Sequence, residues 1–165
     1  MLYIVTGRPY AGKTVLSREL VRRLGFGYAS VDDHIAAGGY DVTAMDQPDW
    51  NRVYSVAFER LEEMLLAGRT VVFDGASLTL RERQSLRAIA AACGADAVLV
   101  YVNTSAEETA RRRHRNAATQ ERAQLADVTM LVALAMFEEP AADEHPVVYH
   151  ASLDLDQWIE ANIRA

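Results

Sequence analysis

Short apolar runs alternate with longer stretches of helical period along this chain. Leu2 to Thr6 is apolar and ends at Gly7, which predicts a first strand. From Thr14 to Leu24 the apolar positions Val15, Leu16, Leu20, Val21 and Leu24 recur at helical spacing, closed by Gly25 and Gly27. Tyr28 to Val31 reads as a second strand ending at Asp32. Residues 34–49 have no clear period and contain Gly38, Gly39 and Pro48, so a loop is expected there with room for one short helix. The spacing of Trp50, Val53, Tyr54, Ala57, Leu61, Met64 and Leu65 predicts a long amphipathic helix stopping at Gly68. Thr70 to Phe73 is a third strand ending at Asp74, Leu80 to Cys93 a helix, and Ala97 to Val102 a fourth strand. Ser105-Ala106-Glu107-Glu108 fits a capping box and opens an arginine-rich helix. Residues 116–126 are polar and break the pattern. Val128 to Glu138 resumes as helix, Val147 to Tyr149 is a fifth strand, and Asp154 to Ala165 a closing helix.

Strands that alternate with helices imply βαβ units. The expected class is therefore α/β, a five-stranded parallel sheet with helices on both faces. The 165 residues fit a single domain, with no internal repeat or linker. In such sheets ligands sit at the carboxyl ends of the strands. The segments to inspect are Gly7 to Thr14, Asp32-Asp33, Asp74 to Ser77, and Asn103-Thr104.

One of these segments carries a specific motif. Gly7-Arg8-Pro9-Tyr10-Ala11-Gly12-Lys13-Thr14 matches G-x-x-x-x-G-K-[ST] in full, between an expected strand and an expected helix. Glycines at both ends let the backbone turn and aim its N–H groups inward, toward phosphate at a helix N-terminus. Lys13 supplies a compact charge to the β/γ-phosphates, and the Thr14 hydroxyl is placed to ligate Mg²⁺. Residues 7–15, through Val15, form the expected nucleotide site. Composition sharpens the point: of 17 basic residues all but one are arginine, and the exception is Lys13. No Asn-Lys-x-Asp base-reading motif exists, which argues against a GTPase. Asp74 is followed by Gly75 where a motor-type ATPase carries a second acid to activate water. Phosphoryl transfer from ATP to an acceptor is the class that remains.

The rest of the composition sets limits. Half of the residues are hydrophobic and 24% charged, enough to bury a core. No apolar run approaches the ~20 residues of a membrane span. Met1 to Thr6 reads as the first strand and not as a leader, so a cytoplasmic protein without a membrane partner is expected. Cys93 is the only cysteine, which excludes an intramolecular disulfide and a cysteine-based metal cluster. A net charge of −6 disfavours a general nucleic-acid binder.

Two acids stand where catalysis needs them. Asp32 is the candidate general base, placed to accept a proton from an acceptor hydroxyl, with Asp33 as a helix cap or support. Asp74 is the candidate Mg²⁺ residue, alone or by orienting Lys13 and Thr14. Arg81 and Arg83 begin the following helix, and Arg81 is the one that could reach the site. Arg111-Arg112-Arg113-His114-Arg115 is the densest charge run, and with the polar stretch behind it reads as a lid over about 111–127. Arg112 and Arg115 would bring guanidinium groups to the transferring phosphoryl group; the other reading is a solvated basic stripe that touches RNA.

Together the phosphate loop, Val31-Asp32-Asp33, Val71-Val72-Phe73-Asp74-Gly75, the arginine helix and Phe137-Glu138-Glu139-Pro140 resemble the small P-loop kinases. Similar families are the polynucleotide-kinase-like enzymes, chloramphenicol phosphotransferase, zeta-toxin kinases and gluconate kinase. The resemblance spans about residues 1–150 and implies a three-layer P-loop NTPase fold with a helical arginine lid, ATP and Mg²⁺ as cofactors, Asp32 at the general-base position, Asp74 at the strand-three acid, and Arg112 or Arg115 at lid arginines. Polynucleotide kinases carry a substrate arginine a few residues after the base, where this chain has Ile35 and Ala36. The stretch 32–51 also holds Asp32, Asp33, Asp41, Asp46 and Asp49 with no lysine or arginine. The expected acceptor is therefore a small hydroxyl compound, neutral or cationic, such as a sugar, a nucleoside or an aminoglycoside-like antibiotic. The alternatives are a polynucleotide 5′-hydroxyl kinase and a toxin-like or regulatory nucleotide-binding module. Nothing in the sequence sets the oligomeric state.

Overall fold

The protein is seen in a computed structural model that describes residues 1–42, 44–75, 77–120 and 126–164. The elements in chain order are β1 (Leu2–Thr6), α1 (Lys13–Leu24), β2 (Gly27–Ser30), α2 (Val31–Ala37), α3 (Gln47–Leu66), β3 (Val71–Asp74), α4 (Leu80–Ala92), β4 (Ala97–Val102), α5 (Ala106–Thr119), α6 (Asp127–Met136), a 3₁₀ turn at Ala142–Glu144, β5 (Val147–Tyr149) and α7 (Leu155–Asn162). The five strands form one sheet in the order β2-β3-β1-β4-β5, and every neighbouring pair is parallel. The expected α/β class is the observed one.

β1 is central and wholly buried because both faces of a parallel sheet are covered by helices. The strand period of two divides its side chains between two cores. Leu2 and Ile4, with Val71 and Phe73, pack under α3 and α4 against Val53, Ala57, Leu61, Leu86 and Ala90. Tyr3 and Val5, with Val72 and Val100, pack under α1 and α7 against Leu16, Leu20 and Trp158. The sheet thus forms the middle of three layers and presents the carboxyl ends of β1, β3 and β4 together along one edge.

Four boundaries differ from expectation. β2 ends at Ser30, whose side chain accepts the Asp33 N–H, so Asp32 is the second residue of a helix and not the end of a strand. α3 begins at Gln47, three residues before Trp50. Asp46 and Asp49 form a reciprocal capping box, and Pro48 sits in the first turn, where proline is tolerated. α5 runs on through Thr119 into the stretch read as a break; residues 121–125 of the proposed lid lie outside the described residues. α6 stops at Met136, with Phe137 already extended. Among the described residues no helix is long and apolar enough to cross a membrane.

Candidate active site

The loop from Gly7 to Thr14 leaves the end of β1 and enters α1. Gly7 has φ +150°, and a Cβ there would lie 2.7 Å from the Val102 carbonyl oxygen, so no larger residue fits. Gly12, at φ +106°, caps α1 without a side-chain hydrogen bond, and no acid stands in the first helical turn. Among the described residues no side chain caps the α1 N-terminus by a hydrogen bond, which leaves it a positive end. Tyr10 is buried at φ +62°, a conformation non-glycine residues rarely hold unless their surroundings impose it. Those surroundings are specific. The Thr104 hydroxyl donates to the Ala11 carbonyl at 2.9 Å, and Arg112 Nη1 donates to the same oxygen at 2.7 Å. Lys13 Nζ bridges the loop, donating to the carbonyls of Gly7 at 2.8 Å and Arg8 at 3.1 Å. Arg8 lies over the Phe137 ring, 5.3 Å from its centre. Pro9 is buried, Thr14 half-buried and Val15 exposed. A cradle of backbone N–H groups at an open helix N-terminus is suited to an oxyanion.

Asp74 ends β3 in register with Val5 and Ser30, on the sheet face that carries α1. It is only 6% exposed, and its Oδ2 accepts the Tyr28 hydroxyl at 2.8 Å. Burial, followed by the nearby Asp74 charge, pushes the Tyr28 phenol well above its usual range, so it stays a donor. Gly75 follows because a Cβ there would meet the Phe73 ring at 2.7 Å and Val31 at 2.9 Å. The Ser77 hydroxyl donates to the Val5 carbonyl at 2.8 Å, and its own carbonyl accepts from Thr6 at 2.6 Å. Thr79 is the cap of α4, in a capping box with Glu82.

Asp32 and Asp33 are both exposed, in the first turn of α2. The carboxylate of Asp33 stands 3.5 Å from Arg18. Asp32 lies toward α3: burial, with the charges of Glu82 and Asp32, raises Tyr54 to about 12. Arg112 departs from the role expected of a lid residue. Its guanidinium reaches beneath the phosphate loop to Ala11 and pairs with Glu108 at 2.8 Å. Arg115 is exposed, on the outer part of α5. Arg111 pairs with Glu108, and Arg113 with Asp127, which ties α5 to α6. Glu108 therefore faces arginines and completes only half of the capping box with Ser105.

Arg83 is the residue that sequence reasoning missed. It is 1% exposed, and Nε and Nη2 hold both carboxylate oxygens of Glu144 at 2.8 and 2.7 Å. Nη1 donates to the carbonyls of Leu78 and Glu138, each at 3.0 Å. It thereby locks the segment after Asp74 to the segment after α6. Glu138 completes the lock, donating its N–H to the Leu78 carbonyl and taking the Leu80 N–H on its carboxylate. The visible signal was position: Arg83 shares the apolar face of α4 with Leu86 and Ala90.

The acidic stretch 32–51 is less uniform in space than in sequence. Asp46 and Asp49 are spent on capping α3, and Asp33 faces Arg18. A shallow pocket of about 290 Å³ between α2 and α3 is lined by His34, Tyr40, Arg52, Val53 and Val56, so one guanidinium from just outside the stretch borders it. Trp50 packs on Tyr54, ring centres 6.3 Å apart, in a row that continues through Phe58 to Phe73.

A parallel sheet whose first βα turn is this glycine-framed loop is a P-loop NTPase fold. Within that class the chain belongs to the AAA domain family AAA_33, whose model matches residues 2–140. No curated protein matches the sequence. Solved structures of similar shape include a sugar kinase from a Janibacter species, 20% identical with TM-score 0.65 over 97% of this chain and 90% of that one. A gluconokinase from Sinorhizobium meliloti is 18% identical with TM-score 0.63 over 96% and 86%. Kti12 from Chaetomium thermophilum, solved with ADP-AlF3, is 18% identical with TM-score 0.71 over 97% and 94%. At these identities the likeness is one of fold.

Proposed function

We propose that the protein is an ATP-dependent phosphotransferase that moves the γ-phosphoryl group to a hydroxyl of a small molecule: a sugar, a nucleoside or an aminoglycoside-like compound. The observation that carries this reading is the complete phosphate loop beside a strand-three acid followed by Gly75, where the Phe73 ring leaves no room for a water-activating side chain. Such a site binds and polarises a triphosphate without a carboxylate of its own dedicated to hydrolysis. The sugar kinase and gluconokinase among the similar folds are in keeping with it.

Loop N–H groups and the α1 N-terminus hold the β- and γ-phosphates, and Lys13 turns from the Gly7 and Arg8 carbonyls to the incoming charge. The Thr14 hydroxyl and the Asp74 carboxylate are hard oxygen donors on neighbouring elements and would hold Mg²⁺, which would supply neutralisation of the phosphate charge. Asp32 accepts the proton of the acceptor hydroxyl as its oxygen bonds to the γ-phosphorus and the bond to ADP breaks. Arg112 keeps the loop in shape from below, and Arg115 closes from above on the developing charge. An ADP-coupled assay over a panel of acceptors tests the reading. ADP release should need a hydroxyl acceptor, and equal release with and without acceptors would overturn it.

A further inference from the structure

Asp74 is the inner end of a chain of polar side chains that runs outward to solvent on the sheet face beneath α1. Tyr28 donates to one carboxylate oxygen of Asp74 at 2.8 Å, and the Arg18 guanidinium is held in its charged form chiefly by that phenol, with Asp33 and Asp74 adding to it. Ser30, on the same face of β2 and in register with Asp74, takes the Asp33 N–H at 3.2 Å. Arg18 also stands 3.5 Å from the Asp33 carboxylate. It lies one helical turn beyond Thr14 on α1, so both point to the same side of that helix. The helix bearing Thr14 is thus linked through the Arg18 charge to Tyr28 and Asp74, and through the Arg18–Asp33 pair to the first turn of α2.

We propose that Tyr28, backed by Arg18, is a positioning residue that fixes the orientation of Asp74 for a divalent cation bound with a nucleoside diphosphate or triphosphate. The inference deepens the phosphotransferase reading and rests on it. A buried carboxylate with one oxygen held by a phenol has its other oxygen aimed in a set direction. A strand-end aspartate without that tether would sample several rotamers and lose the metal more readily. The Arg18–Asp33 pair and the Ser30 cap set the start of α2, and so Asp32, relative to the same carboxylate.

The test uses Mn²⁺ in place of Mg²⁺ and measures free Mn²⁺ by electron paramagnetic resonance in the presence of ADP, alongside binding of metal-free ADP. Tyr28→Phe keeps the ring and removes the donor. It should weaken Mn²⁺ in the ADP complex by ~10-fold or more while metal-free ADP binds as in wild type. Arg18→Ala, on an exposed side chain that no core depends on, should weaken Mn²⁺ by a smaller factor, and Arg18→Lys should recover part of it; this pair carries the test if Tyr28→Phe folds poorly. Equal Mn²⁺ affinity in wild type and all three variants overturns the inference. So does a parallel loss of metal-free ADP binding, the mark of a merely structural role. Wild-type protein that takes up no Mn²⁺ with ADP would overturn the phosphotransferase reading itself, a result distinct from the other two.

Discussion

The site has two halves built on different supports. Gly7 to Thr14 follow the central strand β1, Asp74 ends β3, and both have side-chain partners: Thr104 and Arg112 on the Ala11 carbonyl, and Tyr28 on the Asp74 carboxylate. Asp32 and Arg115 stand on helices, exposed to solvent. The sheet-borne half is already in a binding shape, with its glycines and Tyr10 held at positive φ. On the proposed reading, binding energy and pre-organisation would belong to the first half, and closure and chemistry to the second.

Removing the sheet-borne charge should have the largest effect. Lys13→Ala and Lys13→Arg should both abolish transfer while leaving the fold intact, since the Nζ bonds to the Gly7 and Arg8 carbonyls lie within the loop. Turnover by Lys13→Ala would break the division at its stronger side. Next is the helix-borne acid. Asp32→Asn should lower kcat by ~10²–10⁴ with nucleotide affinity unchanged. Asp33→Asn should do much less, since its carboxylate faces Arg18. Steady-state kinetics of the pair decide it, and a reversed order would make Asp33 the base.

These halves also differ in how much of them was legible in the sequence. The phosphate loop, the strand cores and Asp74 could be read because local pattern and tertiary context agree there. The start of α2 could not: seven residues with only Val31 and Ile35 buried make too short a period to outweigh the strand-like run before it. Pro48 was read as a loop residue when it opens α3, since a proline in a first turn looks the same in sequence as one in a loop. Five aspartates in 32–51 looked like one charged surface, and in space Asp46 and Asp49 serve their own backbone. Arg83 was placed as an ordinary helix-start cation. Its partner Glu144 is far along the chain, and no local pattern joins them.

The two arginines of α5 sharpen the comparison. Arg115→Ala should lower kcat by ~10² with little change in nucleotide affinity, as for a donor acting on developing charge. Arg112→Ala should instead weaken nucleotide binding and lower the melting temperature, because it supports Ala11 from beneath. Calorimetric titration with ADP separates them. Unchanged turnover in Arg115→Ala, with loss of RNA binding, would return α5 to the basic-stripe reading.

The smallest effect on turnover, and a clear one on stability, belongs to the buried lock. Arg83, more than any other group, holds the Glu144 carboxyl below its ordinary 4.5. A depressed carboxylate contributes stability above its unfolded value and loses it as pH falls through the folded one. Melting temperature should therefore drop below about pH 4.5, and Glu144→Gln should flatten that drop. At neutral pH Glu144→Gln should cost about 3 kcal/mol, since it leaves Arg83 buried without its charge partner. Thermal denaturation across pH checks both, and an unchanged acid limb in Glu144→Gln would remove the lock from the account.

The central claim is transfer to a small hydroxyl compound, and γ-radiolabelled ATP tests it most directly. Wild-type protein and Lys13→Ala are each offered sugars, nucleosides, aminoglycosides, nucleoside monophosphates and 5′-hydroxyl oligonucleotides, and the products are separated. The account predicts label on a sugar, nucleoside or aminoglycoside with wild type and on nothing with Lys13→Ala. Preferential label on the oligonucleotide or a monophosphate, or release to water alone, would contradict it.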